Sequence, residues 1–165
     1  MSDAPRALEL AYRYINRRER TVAEVRKHLI NRQIEPGEAE AAIEQLLEDS
    51  VLDDERFARL FVQDKRSLEQ WGTERIRRGL ESRGIDRELA EEALAQAGPA
   101  PGLAGANAGD VPTDRDRALD LLRRRFPAPP RERRERERAL GVLLRKGYEY
   151  ELALEALGEH CAAHR

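Results

Sequence analysis

The residues best able to do chemistry in this chain of 165 residues are basic side chains that recur at a fixed interval. Arg26 and Lys27 return 51 residues later as Arg77 and Arg78. Guanidinium groups bind carboxylates and phosphates through paired hydrogen bonds, and an ammonium group binds them as a point charge. We therefore predict a basic track that binds a partner, contributed by the middle helix of each of three repeated segments: Arg26, Lys27, Arg32, Arg77, Arg78, Arg83, Arg133, Arg134 and Lys146.

The same charges have a second explanation, in which they only stabilise helices. The middle helix of each segment is net basic and the last helix is net acidic, so neighbouring helices could pair their charges. The helix dipole also favours carboxylates in first turns and basic groups in last turns. This explanation is weakest for Arg26, Lys27, Arg77 and Arg78, which recur at mid-helix positions beside apolar residues.

Other residue types offer little chemistry. His160, Cys161 and His164 have a spacing that zinc ligands can adopt, but they lie at the chain end without a second ligand cluster. The sequence has no glycine-rich phosphate loop, no nucleophile elbow and no credible pair of catalytic carboxylates. We therefore predict a protein that is not an enzyme and that has no metal and no cofactor.

The basic residues are positioned by an apolar pattern that occurs three times. Its second copy follows the first by 51 residues, and its third follows the second by 63 residues. The pattern predicts an all-α fold of three tandem three-helix repeats forming an elongated, curved molecule, and such folds usually bind large partners. Its positions are Val25, Leu29, Ile34, Ala39, Ala42 and Ile43; Ile76, Leu80, Ile85, Ala90, Ala93 and Leu94; and Ala139, Leu143, Tyr148, Ala153, Ala156 and Leu157.

Turn residues repeat together with this apolar pattern. Thr21 and Glu24 form a capping-box sequence, Asp53 and Asp86 are placed as helix caps, and Gly84 and Gly147 stand where a left-handed residue ends a helix. We predict repeats at residues 1–50, 51–97 and 113–165. Residues 98–112 are rich in glycine and proline and almost without charge, which predicts a flexible linker that lets the third repeat move.

The charge of the last helices argues against one class of nucleic-acid reader. A helix-turn-helix protein inserts its last helix into the major groove, and here phosphate would repel that acidic helix. The densest basic region, Arg123–Arg125 with Arg131–Arg138, fits either a solvated helix with internal ion pairs or nonspecific phosphate contact. Aromatic residues make up only 5% of the chain, which argues against base stacking as the main binding mode.

Several motifs closely resemble those of the RecX family, in the family's order. The central signature lies at Val51–Ala58 and Phe61–Val62 and continues from Gly72–Ile76 through Leu80 to Gly84–Ile85. The flanking repeats resemble residues Arg18–Leu29 and Leu143–Leu157. The resemblance covers nearly all of the chain except the glycine-rich linker and the extreme termini.

The resemblance implies a regulator that binds the helical groove of the filament formed by RecA on single-stranded DNA. It further implies inhibition of ATP hydrolysis, strand exchange and co-protease activity, which would damp recombination and the SOS response. Direct contact with single-stranded DNA is compatible with the basic residues, and a nonspecific single-stranded nucleic-acid binder is the alternative function. Because the chain has neither an apolar signal sequence nor a membrane-length apolar run and contains a single cysteine, we expect a cytoplasmic monomer.

Overall fold

The structure, a computed structural model, describes residues 4–96 and 112–163 and shows only helices within these ranges. This confirms the predicted all-α helical repeat fold. The helices are α1 (Ala4–Ile15), α2 (Val22–Asn31), α3 (Pro36–Glu48), α4 (Asp54–Ser67), α5 (Thr73–Glu81), α6 (Arg87–Gln96), α7 (Asp114–Arg125), α8 (Arg133–Lys146) and α9 (Tyr150–Ala162).

The repeated apolar pattern forms the core, as predicted. Each of its residues is buried, with at most 7% of its surface exposed. Ala39, Ala90 and Ala153 occupy equivalent positions with 0% exposure, and their small side chains let the last helix of a repeat approach its neighbours closely. The six-residue pattern therefore marks the packed faces of the second and third helices of every repeat.

The chain divides into two compact units, which we describe separately. One unit comprises Met1–Leu60 and Gly79–Ala93, and its core is built by α1, α2 and α3. The other comprises Phe61–Arg78 and Leu94–Arg165, and its core is built by α7, α8 and α9. The first and the second halves of α4 and of α5 belong to different units.

Residues 98–111 of the predicted linker lie outside the described residues. The independent movement of the third repeat and the domain boundaries at 1–50, 51–97, 98–112 and 113–165 therefore stay predictions.

The helix starts follow from the predicted capping residues. Thr21 accepts a hydrogen bond from the backbone N–H of Glu24 at 3.1 Å, and the Glu24 carboxylate accepts one from the backbone N–H of Thr21 at 3.2 Å. Asp53 and Asp86 each accept a bond of 2.8 Å from the backbone N–H three residues later. Such a cap is worth about 1 kcal/mol because it satisfies a donor that the helix cannot.

The left-handed residues after the middle helices are also where the sequence predicts them. Gly84 has φ 80° and Gly147 has φ 88°, and Gln33 holds the same place in the first repeat with φ 63°. A side chain at this φ is strained, since its Cβ approaches the following carbonyl oxygen. Gln33 therefore stores backbone strain that its two glycine counterparts avoid.

We expect Gln33→Gly to raise the free energy of unfolding by about 1 kcal/mol, because glycine relieves the left-handed strain. The measurement is the shift of the denaturation midpoint in urea. Glu44→Gly, at an exposed position inside α3, is the control and should lower stability by up to about 1 kcal/mol. A loss of stability with Gln33→Gly would contradict the assignment of strain.

Each unit contains the same junction between consecutive repeats. In the first unit the backbone N–H of Val22 donates to Asp54 Oδ1 at 2.9 Å. In the second unit the backbone N–H of Thr73 donates to Asp114 Oδ2 at 2.9 Å. An aspartate at the start of one repeat's first helix thus caps the middle helix of the repeat before it.

The Asp54 carboxyl has a pKa above its ordinary value, because burial disfavours the charged form. The hydrogen bond from the N–H of Val22 lowers this pKa, but its effect is smaller than that of burial. A raised folded-state pKa means that the folded protein binds the proton more tightly than the unfolded chain. Its contribution to the unfolding free energy therefore grows as the pH falls through that pKa and is lost as the pH rises.

We expect Asp54→Asn to flatten this pH dependence and to leave stability near pH 7 unchanged or higher, since an amide oxygen still accepts the bond from Val22 without the buried charge. Asp54→Ala should lower stability by about 1 kcal/mol because it leaves the N–H without its acceptor. Urea denaturation of the three proteins between pH 3 and 8 tests this. Equal losses from both substitutions would show that the charge itself stabilises the junction.

Candidate nucleoprotein interface

The first unit contains a groove of about 560 Å³ between α2 and the turn that follows α5, which we call the basic groove after its residues Lys27 and Arg83. Arg83 directly precedes the left-handed Gly84, and its guanidinium donates to the carbonyl of Gly79 at 2.7 Å. Two carboxylates, Glu24 and Glu81, also line the groove, and that of Glu24 accepts a bond from Arg18 at 3.2 Å. Lys27 is the exposed cation of the groove that forms no ion pair with any residue that the structure describes.

An aromatic stack forms one side of the basic groove. The rings of Tyr14 and His28 are parallel within 1°, with centroids 4.0 Å apart, and the guanidinium of Arg20 lies 3.9 Å from the Tyr14 centroid. Burial lowers the pKa of His28, and the positive charges of Arg32, Arg20 and Arg17 lower it further. Burial and, to a smaller extent, these cations therefore favour the neutral imidazole.

The second unit has its own cluster of cations and aromatic rings. Lys65 Nζ lies 4.7 Å and Arg75 Cζ 4.1 Å from the ring centroid of Trp71. Phe61 meets Trp71 edge to face with centroids 6.4 Å apart. Trp71 thus contacts an aromatic ring and two cations.

The two clusters are related by the repeat, with their roles exchanged. Tyr14 is equivalent to Lys65, and Arg20 is equivalent to Trp71. In the first unit the ring stands on the first helix and the cation precedes the middle helix. In the second unit the cation lies on the first helix and the ring precedes the middle helix. In both units a cation–π contact therefore joins the first helix to the residues that precede the middle helix.

Four residues of the predicted basic track have carboxylate partners. Arg26 forms a bidentate pair with Glu40, with bonds of 2.5 and 2.9 Å from Nε and Nη2. Arg77 and Arg78 both bond to Glu74, and the Arg78 bond is 2.9 Å long. Arg133 bonds to Glu137 at 2.9 Å, as the spacing on α8 allows. Charge pairing therefore accounts for part of what the track hypothesis assigned to a partner.

The remaining residues of the track differ in accessibility. Lys146 is half-buried and donates to the backbone carbonyl of Glu69 at 2.5 Å, and Arg83 donates within its own turn. Lys27, Arg32 and Arg134 are exposed and form no ion pair with any residue that the structure describes. These three side chains are the members of the track best placed to bind an external anion, and Lys27 faces the basic groove.

A second polar groove, of about 440 Å³, lies within the second unit and was not predicted from the sequence. Arg66, Arg77 and Arg117 line it together with Asp114 and Glu74. Burial lowers the pKa of Arg66 to about 10, and its Nη1 donates to the carbonyl of Leu94 at 3.1 Å. Arg117 bonds to Asp114 at 3.0 Å, so acids balance bases and the network stabilises the fold. Arg66 and Arg117 lie on the first helices of their repeats. The repeated apolar pattern covers only the second and third helices, so it could not predict this groove.

The histidines and the cysteine near the chain end have structural surroundings. His160 is buried, and its Nε2 lies 2.9 Å from the carbonyl oxygen of Phe126. Cys161 Sγ approaches the carbonyl of Pro130 at 3.6 Å, while His164 lies outside the described residues. Over residues 4–96 and 112–163 no group of three or more metal-ligand side chains comes together. None of the helices in these ranges is long and apolar enough to cross a bilayer.

Two family models match the chain. The RecX first three-helix domain matches residues 7–46, and the RecX second three-helix domain matches residues 53–94. The matched ranges cover most of α1 to α3 and of α4 to α6, and they include the first two copies of the apolar pattern.

Solved structures show the same fold. The crystal structure of RecX from Lactobacillus salivarius aligns with a TM-score of 0.73 and 21% identity, and the alignment covers 96% of each chain. A second crystal structure, of a regulatory protein RecX, aligns with a TM-score of 0.68 over 91% of this chain and 69% of that one, at 22% identity.

Curated relatives extend the likeness beyond the first two repeats. A regulatory protein RecX of Lactobacillus delbrueckii subsp. bulgaricus is 38% identical over 90 residues, which span 54% of this chain but only 33% of that protein. The regulatory protein RecX of Mycobacterium avium is 30% identical over 96% of this chain and 87% of its own length. That of Xanthomonas axonopodis pv. citri is 35% identical over 81% of this chain and 74% of its own length. With the helical repeats, both family models and these relatives in agreement, the chain belongs to the RecX family of regulatory proteins.

Proposed function

We propose that this chain binds the RecA–single-stranded DNA filament and inhibits its ATP hydrolysis, strand exchange and co-protease activity, thereby damping recombination and the SOS response. Membership of the RecX family carries the proposal, because the family resemblance implies RecA as the partner. We propose further that it acts as a cytoplasmic monomer without catalysis of its own.

The basic groove supports this function chemically. A nucleoprotein filament presents both phosphates and acidic side chains, and Lys27 offers this groove an exposed ammonium group that has no ion-pair partner among the described residues. Beside it, the Tyr14–His28 stack is already contacted by the guanidinium of Arg20 and forms a wall of the groove. Binding through such a groove blocks access to the filament without any chemical step by the bound protein.

The alternative function is binding of single-stranded nucleic acid without RecA. The exposed Lys27, Arg32 and Arg134 favour it, since cations that form no ion pair with any described residue can bind phosphates irrespective of sequence. The two functions separate experimentally, because the alternative requires equal affinity for naked DNA and for the filament.

The direct test measures RecA ATPase on circular single-stranded DNA while this protein is titrated from substoichiometric amounts. We expect inhibition at less than one molecule per RecA subunit, since an inhibitor lodged in the filament affects neighbouring subunits as well. Excess single-stranded DNA added as a competitor is the control. Absence of inhibition at every ratio with the cognate RecA would refute the proposal, and inhibition that competitor DNA abolishes would favour the alternative.

A further inference from the structure

The third repeat replaces a surface ion pair of the first repeat by two leucines. Arg26 on α2 and Glu40 on α3 bond across the outer face of the first repeat. Their equivalents in the register of the apolar pattern are Leu140 on α8 and Leu154 on α9. α8 packs on α9 as α2 packs on α3, so these leucines occupy a face that an ion pair covers in the first repeat.

Other apolar side chains continue this face. Leu144 lies one turn after Leu140 on α8, and Tyr150 lies one turn before Leu154 on α9. Leu144 is 40% exposed, Tyr150 57% and Leu154 42%, whereas Leu140 is partly buried against the core. We call these four residues the apolar face of the third repeat. A contiguous exposed apolar patch of this kind marks an interaction site more often than a scattered leucine does.

A groove of about 410 Å³ extends the apolar face toward the end of α9. Leu154, Gly158 and Cys161 line it from α9, and Arg136 lines it from α8. A Cβ atom added at Gly158 would meet no atom within 4 Å, so the groove is open at this point. It has room for the side chains of another helix.

The two edges of this face differ in charge. Its α8 edge is net basic, because Arg134, Arg136 and Arg138 are exposed there while Arg133 is paired with Glu137, whereas Glu151 and Glu155 are exposed on α9. Apolar anchors in a groove between two helices fit the apolar stripe of a third helix, and the basic α8 edge fits acidic residues along one side of this stripe. Leucines neither stack on bases nor bond to phosphates, so nucleic acid fits the face poorly.

We propose that the apolar face of the third repeat is a docking surface for an amphipathic helix that the protein component of the filament presents, with the acidic residues of that helix along the α8 edge. The proposal rests on the proposed function, because the filament supplies the helix. The two surfaces then have different roles in binding. The basic groove attracts the filament electrostatically, and the apolar face contributes side chains that become buried on docking.

The test restores the ion pair of the first repeat in the third. Leu140→Arg with Leu154→Glu copies the Arg26–Glu40 pair and removes two anchors. Because Leu140 packs on the core, a second variant, Leu144→Glu with Tyr150→Ser, changes only exposed residues of the same face. The matched control is Leu68→Glu, since Leu68 is 78% exposed and lies outside the face.

Binding is measured by biolayer interferometry on RecA filaments assembled on immobilised single-stranded DNA with a nonhydrolysable ATP analogue. Circular dichroism melting verifies that every variant is folded. We expect both face variants to bind about tenfold or more weakly than the unsubstituted chain, mainly through faster dissociation, and the control to bind within about twofold. The same variants should keep their affinity for naked single-stranded DNA.

The outcomes separate this inference from the proposed function. If the unsubstituted chain binds filaments and a folded face variant binds equally well, the docking surface is refuted and the proposed function stands. If the unsubstituted chain does not bind filaments, both are refuted. Two other results would also overturn the inference: a dimer in sedimentation equilibrium that the face variants dissociate, and a parallel loss of affinity for naked DNA.

Discussion

Lys27→Glu together with Arg32→Glu is expected to weaken inhibition of the RecA filament about tenfold or more while the protein stays folded. Both side chains are exposed on α2 and form no ion pair with any described residue, so their charge is available to an external anion. Reversal replaces attraction by repulsion beside the basic groove. The measurement is the concentration that halves RecA ATPase activity, with thermal denaturation as the test of folding.

The control exploits a neighbour with a different environment. Arg26 stands on the same helix, but its guanidinium is committed to Glu40 through two bonds. Arg26→Gln should therefore leave inhibition nearly unchanged and cost at most about 1 kcal/mol of stability, as is usual for an exposed pair. The ATPase titration is repeated in increasing salt, where the unsubstituted protein should lose affinity more steeply than the charge-reversed one. Equal potency of both variants would assign Lys27 and Arg32 to solubility.

Gly147→Val is expected to lower the free energy of unfolding by about 3 kcal/mol or more, which is a large fraction of the stability of an ordinary domain. Gly147 has φ 88°, a conformation that a β-branched residue adopts only with strain. A Cβ added there would overlap the Cβ of Arg75 and would lie 2.9 Å from its backbone nitrogen. Neither the backbone of α5 nor the turn can move without breaking the bond from the N–H of Gly72 to the carbonyl of Lys146, 2.8 Å long.

Urea denaturation measures this loss, and Gly158→Val is the matched control. Gly158 lies inside α9 with open space around it, so valine there should leave stability unchanged or slightly higher. Similar losses from the two substitutions would show that valine itself, rather than the close approach at Gly147, causes the effect.

The fold was largely predictable because its periodic signal is redundant. Val25, Ile76 and Ala139 differ in type, yet each opens the same six-residue pattern, and each is completely buried. Caps such as Asp53 and Asp86 are local, since a carboxylate bonds to an N–H three residues away. Interactions of this short range can be inferred from spacing alone.

The candidate site was predictable only in part. The recurrence of Arg26 and Arg77 suggested a shared role, and the structure shows that each is paired with a carboxylate. Spacing could not reveal the partner of Arg26, because Glu40 lies 14 residues away on another helix, whereas Glu74 lies three residues before Arg77 on the same helix. The Tyr14–His28 stack was missed for the same reason: it joins two helices whose angle the sequence does not encode locally.

The exchanged cation–π contacts also bear on how such repeats diverge. Compared position by position, Tyr14 and Lys65 are dissimilar, and so are Arg20 and Trp71, so an alignment of the first two repeats would score two mismatches. The contact itself is nevertheless present in both repeats. Neither position can change alone without losing it, whereas the two can exchange together. The feature that the two repeats share here is therefore the cation–π pair and not either residue. A search for correlated positions would detect this similarity, which a comparison of residue identities misses.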